Sequence, residues 1–399
     1  VNDVPPEDGE TGRGSSLREV TWLFLRLGVI AFGGPAAHIA MMHDEVVRRR
    51  GWLTEQRFLD LIGATNLIPG PNSTELAIHI GHDRAGWRGL VSAGVCFILP
   101  AALMVGTLAA LYVHYGHTPA VSGILYGIRP VVIAIIIWAL LSLVRTALGT
   151  TYLWILAVGV LTAYLLGVNE LLLLAAGALL TVAVRTASAW RSRPRGPGEK
   201  PHGNGARALL AAPLVLTGGQ DPDQLLRLFL TMLKIGAVLY GSGYVLLAFL
   251  EGDFVHRLGW LTSTQLTDAV SIGQFTPGPV FTTATFVGYL IAGVPGAIVA
   301  TVAIFLPSFL LVGLLTKITD RIRARTWSSA LLDGVNAASL ALMAGVAFQL
   351  GRISLVDPLT WALTAGTLLV LWRTKLNSAW LIAAGAAVGL VSVAVTGLG

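Results

Sequence analysis

Residues 51–74 read GWLTEQRFLDLIGATNLIPGPNST, and residues 259–282 read GWLTSTQLTDAVSIGQFTPGPVFT. Gly51-Trp52-Leu53-Thr54 returns as Gly259-Trp260-Leu261-Thr262, Asp60 as Asp268, and Pro69-Gly70-Pro71 as Pro277-Gly278-Pro279, each 208 positions on. Two apolar helices can resemble each other by composition alone. These shared peptides at one fixed spacing instead mark a duplication. Outward from this stretch, Arg26-Leu27-Gly28 pairs with Lys234-Ile235-Gly236, Phe32-Gly33-Gly34 with Tyr240-Gly241-Ser242, and Glu45 with Asp253. Past Thr74 and Thr282 the offset falls to 207, matching Gly81 to Gly288, Gly89 to Gly296 and Leu99-Pro100 to Leu306-Pro307.

Both copies are apolar enough to need lipid. The chain is 54% hydrophobic and 12% charged, about half the charged fraction of a soluble domain, and its mean hydropathy is +0.73. About 20 apolar residues cross a bilayer as helix. Leu90–Val113, Val121–Val144, Val294–Leu315 and Ala330–Leu350 are such runs, as are Leu153–Val168 with Leu171–Val184 and Trp361–Trp372 with Ala379–Val395. The expected fold is an all-α multi-pass membrane protein of two tandem, inverted repeats. Each repeat has about five transmembrane helices plus broken, re-entrant half-helices.

The expected divisions are a disordered polar tail at 1–16, membrane repeats at 17–186 and 224–399, and a basic flexible linker at 187–223. The tail holds no apolar core of a cleavable signal peptide. Net charge is +6, which in a membrane chain reports loop placement before nucleic-acid binding. Placing the basic linker in the cytoplasm puts residues 82–88 inside. The basic stretches at 317–325 and 373–375 then put the counterpart loop at 292–295 outside. Opposite topology of two repeats is a common build of secondary transporters. The location expected is the inner (plasma) membrane.

Each repeat interrupts its first apolar segments twice, at Gly33-Gly34-Pro35 and Pro69-Gly70-Pro71, and at Gly241-Ser242-Gly243 and Pro277-Gly278-Pro279. Proline costs a helix interior about 3 kcal/mol and glycine about 1. At membrane depth, such breaks survive only inside protein or beside a watery cavity. Matching breaks in two repeats point to a transporter's binding site. A half-helix starting after Pro71 presents unpaired N–H groups and a positive dipole end, which suit an anion. Asn72, Ser73 and Thr74 in one repeat, Thr282 and Thr283 in the other, and the amides Asn66 and Gln274 add small donors. Arg26 and Lys234 are equivalent cations inside apolar segments, where charge is costly. Together these residues describe a midplane site for a small dianion.

Glu75, whose counterpart is Thr283, would repel a dianion unless protonated. It is either a proton-coupling group or an ion-pair partner of Arg26. His38 is a second proton candidate, although a lone histidine there is more often a packed, hydrogen-bonded side chain. Structural readings stand beside the others: arginine and lysine snorkel to headgroups, and membrane hydroxyls often bond back to their own helix. Glu45, Asp253, Trp52 and Trp260 are expected at the membrane interfaces, and Arg48-Arg49-Arg50 as a cytoplasmic topology signal. Cys96 is expected as a buried small hydrophobe, since one thiol builds neither a disulfide framework nor a cysteine metal site. The sequence holds no phosphate-binding loop for ATP and no nucleophile elbow or zinc-protease motif. No enzyme activity, cofactor or metal is expected, and a homodimer is left open.

Phe32-Gly-Gly-Pro35 with His38-Ile39, Gly51-Trp-Leu53, Pro69-Gly-Pro71 with Ser73-Thr74, and Phe97-Ile-Leu-Pro100 resemble the chromate transporter family. So do Tyr240-Gly-Ser-Gly-Tyr244, Pro277-Gly-Pro-Val-Phe-Thr-Thr283 and Phe305-Leu-Pro307. The resemblance spans nearly the whole chain, in the two-domain form of the family. It implies chromate export, with sulfate as a recognised isostere, driven by the membrane potential or a proton gradient. The chain departs from the family pattern at Asn66 and Glu75, where glutamine is usual, at Ile68 and at Ser242. Two other readings remain: a proton-coupled carrier of another small solute using Glu75, and a non-transporting membrane subunit.

Overall fold

A computed structural model describes residues 11–32, 34–65, 68–116, 118–191, 224–239, 245–315, 326–374 and 376–396. Among these residues the regular structure is entirely helical. The first repeat comprises α1 (Thr11–Ile30), α2 (Gly34–His43), a π-helical turn (Asp44–Arg49), α3 (Glu55–Thr65), α4 (Asn72–Tyr115), α5 (Pro119–Ala147), α6 (Thr151–Leu165) and α7 (Glu170–Arg191). The second repeats this order with α8 (Gln224–Val238), α9 (Leu246–Leu250), a π turn (Glu251–Arg257), α10 (Ser263–Phe275), α11 (Thr283–Leu315), α12 (Thr326–Ser354), α13 (Pro358–Arg373) and α14 (Ser378–Thr396). Six helical stretches among the described residues are long and apolar enough to cross a membrane.

Residues 11–16, expected as tail, form the first turns of α1. Extending a helix already nucleated by its apolar face costs less than starting one. Likewise α7 runs to Arg191, past the expected boundary at 186.

The long helix α4 is two limbs. Ala85 (φ −139°) and Gly86 (φ 61°) leave the helical region, and the left-handed φ falls on the residue that tolerates it. In a straight helix Gly81 and Gly89 would lie roughly 12 Å apart. Here a Cβ on Gly81 would stand 2.3 Å from the Gly89 carbonyl oxygen, so the chain doubles back. α11 does the same at Ala292 and Gly293 (φ −144° and 59°), with Gly288 against Gly296. Glycine at the crossing lets the two backbones touch.

Side-chain pairs give the direction of each limb. Thr21 of α1 meets Ser92 of the second α4 limb at 2.6 Å, so α1 enters beside that limb. After the turn at Phe32 the chain returns, and Trp52 stacks under Arg84, which pairs with Glu19 of α1 at 3.0 Å. Arg57 near the start of α3 pairs with Asp83 near the end of the first α4 limb at 2.8 Å. The first repeat therefore opens with two re-entrant hairpins, both entered from one face, with Phe32-to-Pro35 and Pro69-Gly70-Pro71 at their tips. The second limb of α4, then α5, α6 and α7 follow them.

The second limbs of α4 and α11 lie antiparallel. Trp87, at the start of one, packs on Gly313, near the end of the other. Tyr112, near the end of the α4 limb, reaches Phe286 (ring centroids 5.3 Å) and Asp268 (2.9 Å) in the second repeat's hairpin. The two pairs of hairpins accordingly open on opposite faces, in accord with the inverted orientation. The outer helices interlock the repeats: α5 crosses α14 through Gly123 and Gly127 against Gly385 and Gly389, and α7 crosses α12 through Gly177 against Gly334. The main buried core draws on both repeats.

Candidate functional site: two Pro-Gly-Pro tips held by crossed backbone bonds

The amide of Gly70, at the tip of the first repeat's second hairpin, donates to the carbonyl of Leu239 in the second repeat at 2.7 Å. The amide of Gly278 donates to the carbonyl of Ala31 at 2.8 Å. Gly70 and Gly278 are equivalents, as are Ala31 and Leu239. Each Pro-Gly-Pro tip therefore caps a carbonyl two residues ahead of the glycine break of the opposite repeat. A helix end leaves such carbonyls unsatisfied, and lipid supplies no donor. The two Pro-Gly-Pro tips and the ends of α1 and α8 are thereby drawn together at the pseudo-twofold centre. Both glycines need their freedom: Gly70 has φ 142° and Gly278 φ 93°. A Cβ would come 2.1 Å from Glu75 Oε1 at the first and 2.7 Å from Ala101 Cβ at the second.

Pro71 and Pro279 each precede a helical start and carry extended backbone, with no side-chain cap. The first ladder bonds run from Thr74 N to Pro71 O (2.8 Å) and from Thr282 N to Pro279 O (3.0 Å). The amides ahead of them, including those of Ser73, Val280 and Phe281, lie outside the helices' own ladders. Thr282 and Thr283 spend their hydroxyl protons on Pro279 O and Val280 O at 2.7 and 2.8 Å. Those two side chains cap their own turn. Thr74 Oγ1 and Gln274 Nε2, one in each repeat, are buried donors with no protein partner among the described residues. Ser73 is also buried, and Asn72 begins α4. Gly33, Asn66, Gly241 and Ser242 lie outside the described residues, and Gly34, at φ 71°, turns the chain into α2.

Glu75 is fully buried. Its Oε1 accepts from Ser308 Oγ of the second repeat at 3.2 Å, and its Oε2 has no protein partner among the described residues. It therefore binds across the repeat boundary rather than to Arg26. Arg26 pairs with Glu45 at 3.4 Å, and Lys234 with Asp253 at 2.5 Å. The two cations do not meet: each is held by the equivalent carboxylate of its own π turn. Glu45 and Asp253, expected at the interfaces, are instead buried, because those ion pairs, with Arg49 and Arg257, neutralise them. Arg50 also reaches Glu45, so the basic run has a structural role. Trp260 packs on Phe254. Cys96 is free and partly exposed rather than buried.

His38 contacts Ala31 O at 3.0 Å through Nε2 and lies edge-on to Phe97. A carbonyl only accepts, so Nε2 carries the proton there. The same oxygen takes the Gly278 amide, which makes His38 a tie at the centre of the site. Ser308 and the carbonyls of Ala31 and Leu239 were not foreseen from the sequence. Ser308 follows Pro307 in the second repeat, where the first has Ala101, and that difference is a signal a repeat alignment carries.

Comparison with known proteins bears directly on this arrangement. The chromate transporter family model matches residues 18–182 and again 226–390. The chain belongs to the chromate transporter family. Its relatives include the chromate transport protein of Cupriavidus metallidurans, 34% identical over 385 residues, covering 94% of this chain and 93% of the relative. The probable chromate transport protein of Synechococcus elongatus is 31% identical, over 94% and 95%. The chromate transport protein of Pseudomonas aeruginosa is 31% identical, over 92% and 90%. No solved structure matches. Family membership identifies the chain as an ion transporter and not an enzyme. The two family matches coincide with the two inverted sets of helices, so each chromate transporter repeat contributes one Pro-Gly-Pro tip to the centre.

Proposed function

We propose that this chain exports chromate, and takes sulfate as an isostere, across the inner membrane as a secondary transporter. The observation that carries this reading is the crossed pair of backbone bonds, which sets two helix starts at one buried centre. Amides at helix N-termini favour negative charge, and the buried donors Thr74 Oγ1 and Gln274 Nε2 have protons to give a tetrahedral oxyanion. Arg26 and Lys234 contribute through space, by holding each π turn and adding positive potential. Rocking of one repeat against the other, with the bonds from Gly70 and Gly278 as the pivot, alternates access. Glu75 carries the coupling proton: it faces the site as a neutral acid when the dianion is bound and so avoids repulsion.

Uptake of radiolabelled chromate and sulfate into proteoliposomes tests this. Saturable chromate flux, competed by sulfate, is expected in the wild type. Glu75→Gln is expected to keep flux and lose its response to a pH gradient. No flux of either anion by folded protein would overturn the reading and favour a different solute or a non-transporting subunit.

A further inference from the structure

Glu75 lies fully buried at the centre of the molecule, and a coupling proton must reach it from one side. The first limb of α4 carries other titratable side chains toward its open end: His79, then His82 and Asp83. Positions four apart, or seven to eight apart, share one helix face with Cβ atoms about 5–6 Å apart per step. Glu75, His79 and the His82–Asp83 pair therefore form a line along that face. It runs from the Pro-Gly-Pro tip to the face of the molecule that carries Arg48, Arg49 and Arg50.

The burial pattern is graded along this line. Glu75 and His79 are buried, His79 at 2% exposure. His79 Nε2 has no protein partner among the described residues, an unusual condition for a buried polar atom. His82 and Asp83 are 25% and 18% exposed in their side chains. Asp83 is held by Arg57 from α3 at 2.8 Å, and the His82 ring meets Trp87 edge-on. At the inner end, Ser308 of α11 binds Glu75.

The second repeat has no such line. Thr283 stands for Glu75, and Phe286, Tyr289 and Leu290 stand for His79, His82 and Asp83. The repeats share a backbone, so the titratable groups are an addition to one of them rather than a requirement of the fold.

We propose that the first limb of α4 is a one-sided proton path, in which His79 passes a proton between Asp83 and His82 at the surface and Glu75 at the transport site. This rests on the transporter reading above and adds the route and the side from which its coupling proton arrives. The imidazole takes a proton on one nitrogen and releases one from the other, so no net charge stays in the helix. His79 touches no transported anion; it acts through Glu75.

The experiment uses the full chain in proteoliposomes with two readouts. One is counterflow of labelled chromate at equal pH on both sides, which requires no proton transfer. The other is chromate-driven proton movement, followed with an entrapped pH-sensitive dye. His79→Phe installs the second repeat's residue, and His79→Asn keeps a polar side chain that does not titrate. Both variants are expected to keep counterflow within about twofold and to lose at least about tenfold of proton movement, with partial recovery when imidazole is added. Proton movement equal to wild type in either variant would overturn the path, as would loss of counterflow in both, which makes His79 a packing residue. Wild-type counterflow without proton movement would overturn the path and leave the transporter standing. Absence of wild-type counterflow would overturn the transporter reading itself, and the path with it.

Discussion

Gly70 and Gly278 each combine a left-handed φ with a neighbour where a Cβ would stand. Gly70→Ala forces its methyl into Glu75 and Ser308. Strained φ alone costs about 1–3 kcal/mol, so a lowered melting temperature and loss of chromate counterflow are expected together. Full counterflow in both Gly70→Ala and Gly278→Ala would remove these turns from the site. A second residue-scale effect concerns Asp357, which caps α13 outside the spanning helices. Its Oδ2 accepts from Tyr126 at 2.5 Å, and its Oδ1 accepts from the Thr360 amide at 2.9 Å. The Tyr126 hydroxyl, more than any other partner, holds the carboxyl below its ordinary value of 3.8. A folded value below the unfolded one stabilises the protein above the ordinary carboxylate pKa, and the contribution is lost as pH falls through the lowered value. Tyr126→Phe should therefore raise the pH of acid unfolding, read by tryptophan fluorescence in detergent. An unchanged midpoint would deny the bond its role.

The helical hairpins depend on contacts between elements. Asp268 of α10 is 1% exposed and receives both a bidentate Arg129 from α5 (2.7 and 3.0 Å) and Tyr112 from α4. This clamp fastens the second repeat's hairpin to the first repeat's crossing helices. Removing one partner of a buried ion pair costs about 3–5 kcal/mol, because the other charge stays buried. Arg129→Met should destabilise by that order in thermal melts, and adding Asp268→Asn should recover much of the loss. Without such recovery the arginine would be acting by packing. The sequence exposed the hairpins only in part. Gly33-Gly34-Pro35 and Pro69-Gly70-Pro71 mark breaks, and the charged stretch at 82–88 marks a loop, but none of these shows how closely the flanking helices pack. The touching Gly81 and Gly89 backbones show that the chain doubles back tightly there.

At the scale of the molecule, inversion makes a direct prediction. Thr54 and Thr262 are exposed equivalents beside the open ends of the two sets of hairpins. In a Cys96→Ala background, Thr54→Cys and Thr262→Cys should react with a membrane-impermeant maleimide from opposite sides of sealed vesicles. Labelling of both from one side would refute the inverted arrangement. The interlocked outer helices, with α5 on α14 and α7 on α12, imply that neither repeat folds stably alone, since each leaves its glycine faces unpaired without the other.

The sequence by itself determined that lipid must surround this chain, that one unit occurs twice, and that each copy breaks its helices at glycine and proline. Those properties are written in composition and spacing, which need no partner to be read. The repeat offset also singled out Glu75 as a departure from symmetry. Only the tertiary structure decided that Gly70 caps Leu239 and Gly278 caps Ala31, that Arg26 and Lys234 turn to Glu45 and Asp253, and that Ser308 reaches Glu75. Each of these joins residues far apart in the chain. A buried polar group takes whichever partner the packed fold brings within reach, and local sequence does not encode that choice.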